Sequence, residues 1–209
     1  MSGGESKKKC IIPVIIILIT LSLLSGCVNL TCSYISDSLL NNGWYEDLSL
    51  RNTGSQFLGL DKWCSSTYEI QGKYPATLTL TTMKSLVLSD ENELFEKTKD
   101  AISKTFKDRF NITEVLSGER TISKGHKSHF SIYDGIDSSS HQKVRLIGEV
   151  WNCATSGTSI ICVGFAYTTN ENLPDVENLE NWQKIVMDPS GTIDNSFGEI
   201  GLIYNVDCH

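Results

Sequence analysis

The sequence predicts an α+β fold: an antiparallel β-sheet covered by helices on both faces, preceded by an N-terminal membrane segment. Three observations carry this expectation. Apolar residues alternate with threonines from Ala76 to Met83, the two-residue period of a strand with one buried face. Leu94, Phe95, Thr98, Ala101, Ile102, Thr105, Phe106 and Arg109 recur at helical spacing, which makes one largely apolar stripe on a solvated helix. The chain from Cys10 to Leu30 is uncharged over 21 residues, enough at 1.5 Å per residue to cross a bilayer core of about 30 Å.

The elements follow in chain order. Lys7, Lys8 and Lys9 precede the apolar run, and Leu24-Ser25-Gly26-Cys27 closes it. This is the layout of a secretory signal. The closing tetrapeptide resembles the lipobox of prokaryotic lipoproteins, which implies a lipid on Cys27 and a mature chain that begins there. An uncleaved helical anchor is the alternative. In both cases the lysines stay on the cytoplasmic side and the rest of the chain lies outside. Residues 1–27 are therefore read as signal peptide and lipobox or as signal anchor, 28–42 as a polar tether, and 43–209 as a single extracytoplasmic domain at the cell membrane. Removing residues 1–26 takes away three lysines and one glutamate, so the formal charge of −7 becomes −9. Phosphate-backbone binding needs a basic excess, so nucleic acid is excluded as a partner.

Trp44, Tyr45, Phe57 and Trp63 mark a segment expected to pack onto the domain rather than face water. Thr67–Ile70 and Ala76–Met83 are expected as strands around a turn at Gln71-Gly72. Asp90 and Glu93 then give a capping-box-like start to the helix. Two strands are expected at Ile112–Leu116 and His129–Tyr133, with turns at Ser117-Gly118 and Lys124-Gly125. Val144–Trp151 and Ser159–Tyr167 form a hairpin whose two faces are both apolar, so both should be covered. A second helix is expected from about Asp175 to Met187, and a last strand from Glu199 to Val206.

Seven cysteines fall at positions 10, 27, 32, 64, 153, 162 and 208. A two-residue type II′ loop at Gly157-Thr158 would place Cys153 opposite Cys162, close enough for a disulfide. Cys64 with Cys208 or with Cys32 would form a second bridge, and export favours oxidation. No paired CxxC of a zinc ribbon or redox motif is present. His126 and His129 have the spacing of a helical metal motif, but His129 lies in an alternating segment where residues three apart face opposite ways, so no metal ligands and no cofactor are expected. His141 and His209 complete the set of four histidines. The acidic groups at both helix starts complement the helix dipoles. No P-loop, GxGxxG, GxSxG or HExxH occurs, and no catalytic residue is assigned. Asn29 and Asn111 each open an Asn-X-Thr sequon, a candidate glycosylation site.

Tyr74-Pro75 opening the first long strand, Ser117-Gly118 and Lys124-Gly125 flanking the middle strands, and the Glu149–Tyr167 hairpin give a layout that resembles the PsbP-like family between about Trp63 and Ile193. The resemblance implies an antiparallel sheet between helices and an accessory or binding role without catalysis. The expected function is thus a membrane-anchored, non-catalytic module for an envelope partner or a small ligand, with a surface hydrolytic or metal-dependent enzyme as the alternative.

Overall fold

The computed structural model describes residues 29–56, 59–191, 193 and 201–209. Among these, the strands are β1 (Tyr45–Glu46), β2 (Asn52–Gln56), β3 (Asp61–Ile70), β4 (Ala76–Lys84), β5 (Thr113–Thr121), β6 (Lys127–Ile136), β7 (Lys143–Cys153) and β8 (Thr158–Tyr167), and the helices are α1 (Glu91–Phe110) and α2 (Glu180–Val186). The strands make one antiparallel sheet in the order β1-β3-β4-β8-β7-β6-β5, with β2 sharing the free edge of β3. The fold is α+β, as the periodicity requires.

The helices sit on opposite faces, and two glycines show where. A Cβ on Gly148 of β7 would stand 2.5 Å from Ile102 of α1, while a Cβ on Gly164 of β8 would stand 2.7 Å from Ile185 of α2. Both positions are narrow because a helix lies directly upon them. Asp90 caps α1, its carboxylate accepting from the Glu93 amide at 3.0 Å, which satisfies one of the orphan N–H groups of the first turn. Asn111 ends the helix in the left-handed region. The Asn111 and Asn29 sequon side chains are both exposed.

Coverage of the α1 face is incomplete. α1 packs on β6 and β7, whereas Met83, Ile161 and Val163 on β4 and β8 border an open groove of about 350 Å³ along the helix. On the opposite face the core is deep. Trp151, Trp182 and Ile185 join Leu202, Ile203 and Val206 from the segment that follows α2 in the chain.

Several expectations need correction. Residues 32–42 are not a tether: Cys32 is disulfide-bonded to Cys64, the Ser33 amide donates to Thr82 Oγ1, and the Ile35 amide donates to the Tyr68 hydroxyl. The Ser/Asn-rich composition concealed a short in-and-out alternation, with Ser33 and Ile35 buried and Tyr34 and Ser36 exposed. Ser117-Gly118 lies inside β5, opposite Ser131 and Phe130, because an edge strand tolerates residues that a central strand does not. The turn is made by Lys124 and Gly125, both at positive φ. The hairpin loop is Ala154–Gly157, so Cys153 pairs with Thr158 and Cys162 pairs with Glu149. The proposed Cys153–Cys162 bridge is therefore absent, and both thiols are free. α2 is shorter than expected, with Asp175–Asn178 outside any helix. Of the last expected strand, Glu199 and Ile200 lie outside the described residues, and residues 201–206 carry instead a 3₁₀ turn at Ile203–Asn205, followed by one bridge between Tyr34 and Asp207. Among the described residues no helix is long and apolar enough to cross a membrane; the apolar run before residue 29 and Cys27 lie outside them.

Candidate metal centre

Four side chains from three separate parts of the chain converge beside the hairpin tip: His126, Cys153, Cys208 and His209. One donor atom from each lies within 4.8 Å of all the others. Cys153 is the last residue of β7, on the face shared with Glu149 and Trp151. His126 follows the Lys124-Gly125 turn into β6, where its carbonyl accepts from the Ile122 amide at 2.9 Å. Cys208 and His209 arrive on the segment after α2. That segment is fixed by the Gly201 amide donating to the Met187 carbonyl, the Leu202 amide to the Lys184 carbonyl, and the reciprocal Tyr34–Asp207 pair at 3.0 and 2.9 Å. The Lys124 ammonium donates to Asp207 at 2.7 Å, so the turn that carries His126 and the segment that carries Cys208 are held together by charge.

The distances suit a small ion. His209 Nδ1 lies 3.3 Å from Cys153 Sγ and 3.5 Å from Cys208 Sγ, and His126 Nε2 lies 3.4 Å from Cys208 Sγ. In a tetrahedral zinc shell with Zn–S near 2.3 Å and Zn–N near 2.0–2.1 Å, sulfur and nitrogen donors stand about 3.5 Å apart and two sulfurs about 3.8 Å. The Cys153 and Cys208 sulfurs are 2.8 Å apart. They must separate by about 1 Å to embrace an ion of that shell, a shift on the scale of side-chain rotation.

Protonation differs among the four donors. Burial raises the Cys153 thiol, but hydrogen bonds from Cys208 and Ser156, with His209 alongside, outweigh burial and bring it down to about 7. Cys208 is driven the other way, to about 12, by burial and by the thiol–thiol contact with Cys153. Burial, then the charges of His209 and Lys124, hold His126 below the ordinary imidazole range, leaving it neutral at pH 7, the form that binds metals. The indole N–H of Trp151 is buried with no hydrogen-bond partner of normal length, and it acts on Cys208 to favour the thiolate. An outer donor to a sulfur ligand is a common companion of metal sites.

The other candidates are dispersed. His129 lies on the α1 face between Glu91 and Glu119, at 3.8 and 3.6 Å, with its ring against Phe95. His126 and His129 thus face opposite ways, as strand geometry requires, and the HxxH pair makes no common site. His141 is an exposed turn residue at positive φ. Cys162 is fully buried against Glu149, both of which push its thiol up, and it is chemically quiet. Cys64 is committed to Cys32. The sequence offered one cue that was missed: Cys208-His209 are adjacent metal-ligating types, and His126 precedes a strand, but nothing local links them to Cys153.

Compared with known proteins, the chain matches no family model, no curated protein and no solved structure.

Proposed function

We propose that this protein is an exported, membrane-anchored, non-catalytic module that binds a thiophilic transition-metal ion through His126, Cys153, Cys208 and His209. The observation that carries this reading is the convergence of two thiols and two imidazoles at ion-binding separations. Two sulfurs with two nitrogens suit a tetrahedral ion such as zinc, and four protein donors leave no open position for a reacting water. Asp207, beside Cys208 in the chain, is tied to Lys124 and is not free to act as a general base. Binding, rather than hydrolysis, is what this arrangement supports.

The anchor is part of the same proposal, as a lipid on Cys27 or a helix within residues 10–30. Four residues lie between Cys27 and Cys32, which is bonded to the sheet, so a lipid on Cys27 would be attached at most about 18 Å from Cys32. The likeness to PsbP-like lipoproteins is proposed on the order of strands and helices alone.

Elemental analysis of the full-length protein, purified reduced in detergent, should find one equivalent of metal. His126→Ala and Cys153→Ser should lose it while retaining the fold by circular dichroism. A metal-free wild type that takes up no added zinc would remove the reading. For the anchor, Cys27→Ser should release or mislocalise a lipoprotein, whereas a spanning helix would remain in the membrane.

A further inference from the structure

The same two sulfurs that would hold the ion are also placed to bond to each other. Resting on the metal-binding reading, we propose that Cys153 and Cys208 form a redox-exchangeable clasp, holding either a zinc ion or a mutual disulfide and never both. The reactant that drives the exchange is a small-molecule or protein disulfide.

Three observations support it. The sulfurs lie 2.8 Å apart, between the bonded distance of about 2.05 Å and the separation of about 3.8 Å that an ion imposes, so each state is reached by a motion of about 1 Å. No other described thiol competes. Cys162 lies four residues along β8 from Thr158, the neighbour of Cys153, or about 13 Å at strand spacing, and Cys32 and Cys64 are already joined. Finally, Cys208 reaches the site on a segment fastened by the Tyr34–Asp207 bridge and the Lys124–Asp207 ion pair. Either closure of the clasp fastens that segment to the end of β7.

The exchange balances as two thiol–disulfide steps. The thiolate of one cysteine attacks a sulfur of the reagent disulfide, forming a mixed disulfide and expelling one reagent thiolate. The second cysteine, releasing its proton or its share of the ion, attacks the protein sulfur of that mixed disulfide and expels the second reagent thiolate. Two electrons pass from the protein pair to the reagent. Zinc keeps its oxidation state and leaves because only two imidazoles remain to hold it. Both cysteines are buried, so an ion that fastens the segment carrying Cys208 slows the attack, and its removal hastens it.

The test uses the full-length reduced protein in detergent, loaded with zinc and then treated with glutathione disulfide. Zinc release is followed with a chromophoric chelator, and peptide mass spectrometry identifies the linkage formed. The expected result is one zinc released per chain together with a Cys153–Cys208 cross-linked peptide, the cross-link forming faster in the chelator-stripped protein, with dithiothreitol restoring binding. Cys162→Ser should behave as the wild type. If the reduced chain takes up no zinc, the metal reading falls and the exchange falls with it. If zinc binds but oxidation leaves Cys153 and Cys208 unlinked, or links them while zinc stays bound, the exchange alone is overturned.

Discussion

His126 Nε2 stands 3.4 Å from the sulfur of Cys208, although the two are 82 positions apart in the chain. The contact exists because the Lys124-Gly125 turn and the segment after α2 meet at one corner of the sheet, where Lys124 also pairs with Asp207. A site assembled by sheet topology in this way is only as rigid as the sheet that brings its parts together.

Arg120 and Glu149 form a buried bidentate pair at 2.8 and 2.6 Å. Arg120 also donates to the Val186 carbonyl, and the Ser128 hydroxyl to Glu149. Removing one partner leaves a buried charge without compensation. Arg120→Met should destabilise the protein by about 3–5 kcal/mol, and adding Glu149→Leu should recover most of that loss. Urea unfolding of the two variants checks this; a double variant no better than the single would show that the pair is not the cause.

Asp137 is buried. Burial opposes its charge, but hydrogen bonds from Ser139, from Tyr167 and from the amides of Ser139 and Ser140 prevail and hold its carboxyl well below the usual range. Tyr167, half-buried and donating to that carboxylate, is pushed up to about 12 by partial burial and that bond. Because the folded pKa of Asp137 is depressed, its contribution is complete above the unfolded value near 4 and is lost as pH falls through the folded value. Asp137→Asn should cost about 2–3 kcal/mol at pH 7 and flatten the fall in melting temperature below pH 4. Equal slopes in wild type and variant would contradict the assignment.

The Cys32–Cys64 bridge closes a separation of 32 residues, and loop entropy at that length gives roughly 3–4 kcal/mol. Cys32→Ser with Cys64→Ser should lower stability by about that amount. It should also free Ser33 and Ile35 from the sheet, seen as faster amide exchange at those two positions. Protection unchanged there would mean that hydrogen bonds alone hold the segment.

Gly148→Ala should cost about 1–3 kcal/mol by forcing α1 away from β7, since the added methyl would meet Ile102 at 2.5 Å. Gly118→Ala, whose methyl would meet the Phe130 ring at 3.5 Å, should stay within about 0.5 kcal/mol. Thermal melts of the pair separate helix crowding from a general loss of glycine.

The sequence carried the local periods well and the long-range pairings poorly, and the hairpin shows both. Placing Cys153 opposite Cys162 instead of Thr158 slips the ladder by four positions, an even number. The side-chain period of a strand is two, so the faces stayed correct: Val144, Leu146 and Val150 still share a face with Ile161, Val163 and Phe165, and Glu149, Trp151 and Cys153 share the other. The disulfide depended on register and was lost. α1 was readable because its stripe and cap are both local. The Cys32–Cys64 bridge was one of two open pairings for Cys64, and spacing alone could not choose between them. Apart from the adjacent Cys208-His209, the metal cluster left no local pattern, since its ligands at 126, 153, 208 and 209 meet only once the strand order is known.

X-ray absorption at the zinc edge of the loaded, reduced full-length protein tests the central claim most directly. The account predicts two sulfur scatterers near 2.3 Å and two nitrogen scatterers near 2.0–2.1 Å, with one sulfur lost in Cys208→Ser and the outer-shell ring scattering of one imidazole lost in His126→Ala. A first shell of oxygen and nitrogen alone, unchanged by either substitution, would place the zinc elsewhere and contradict it.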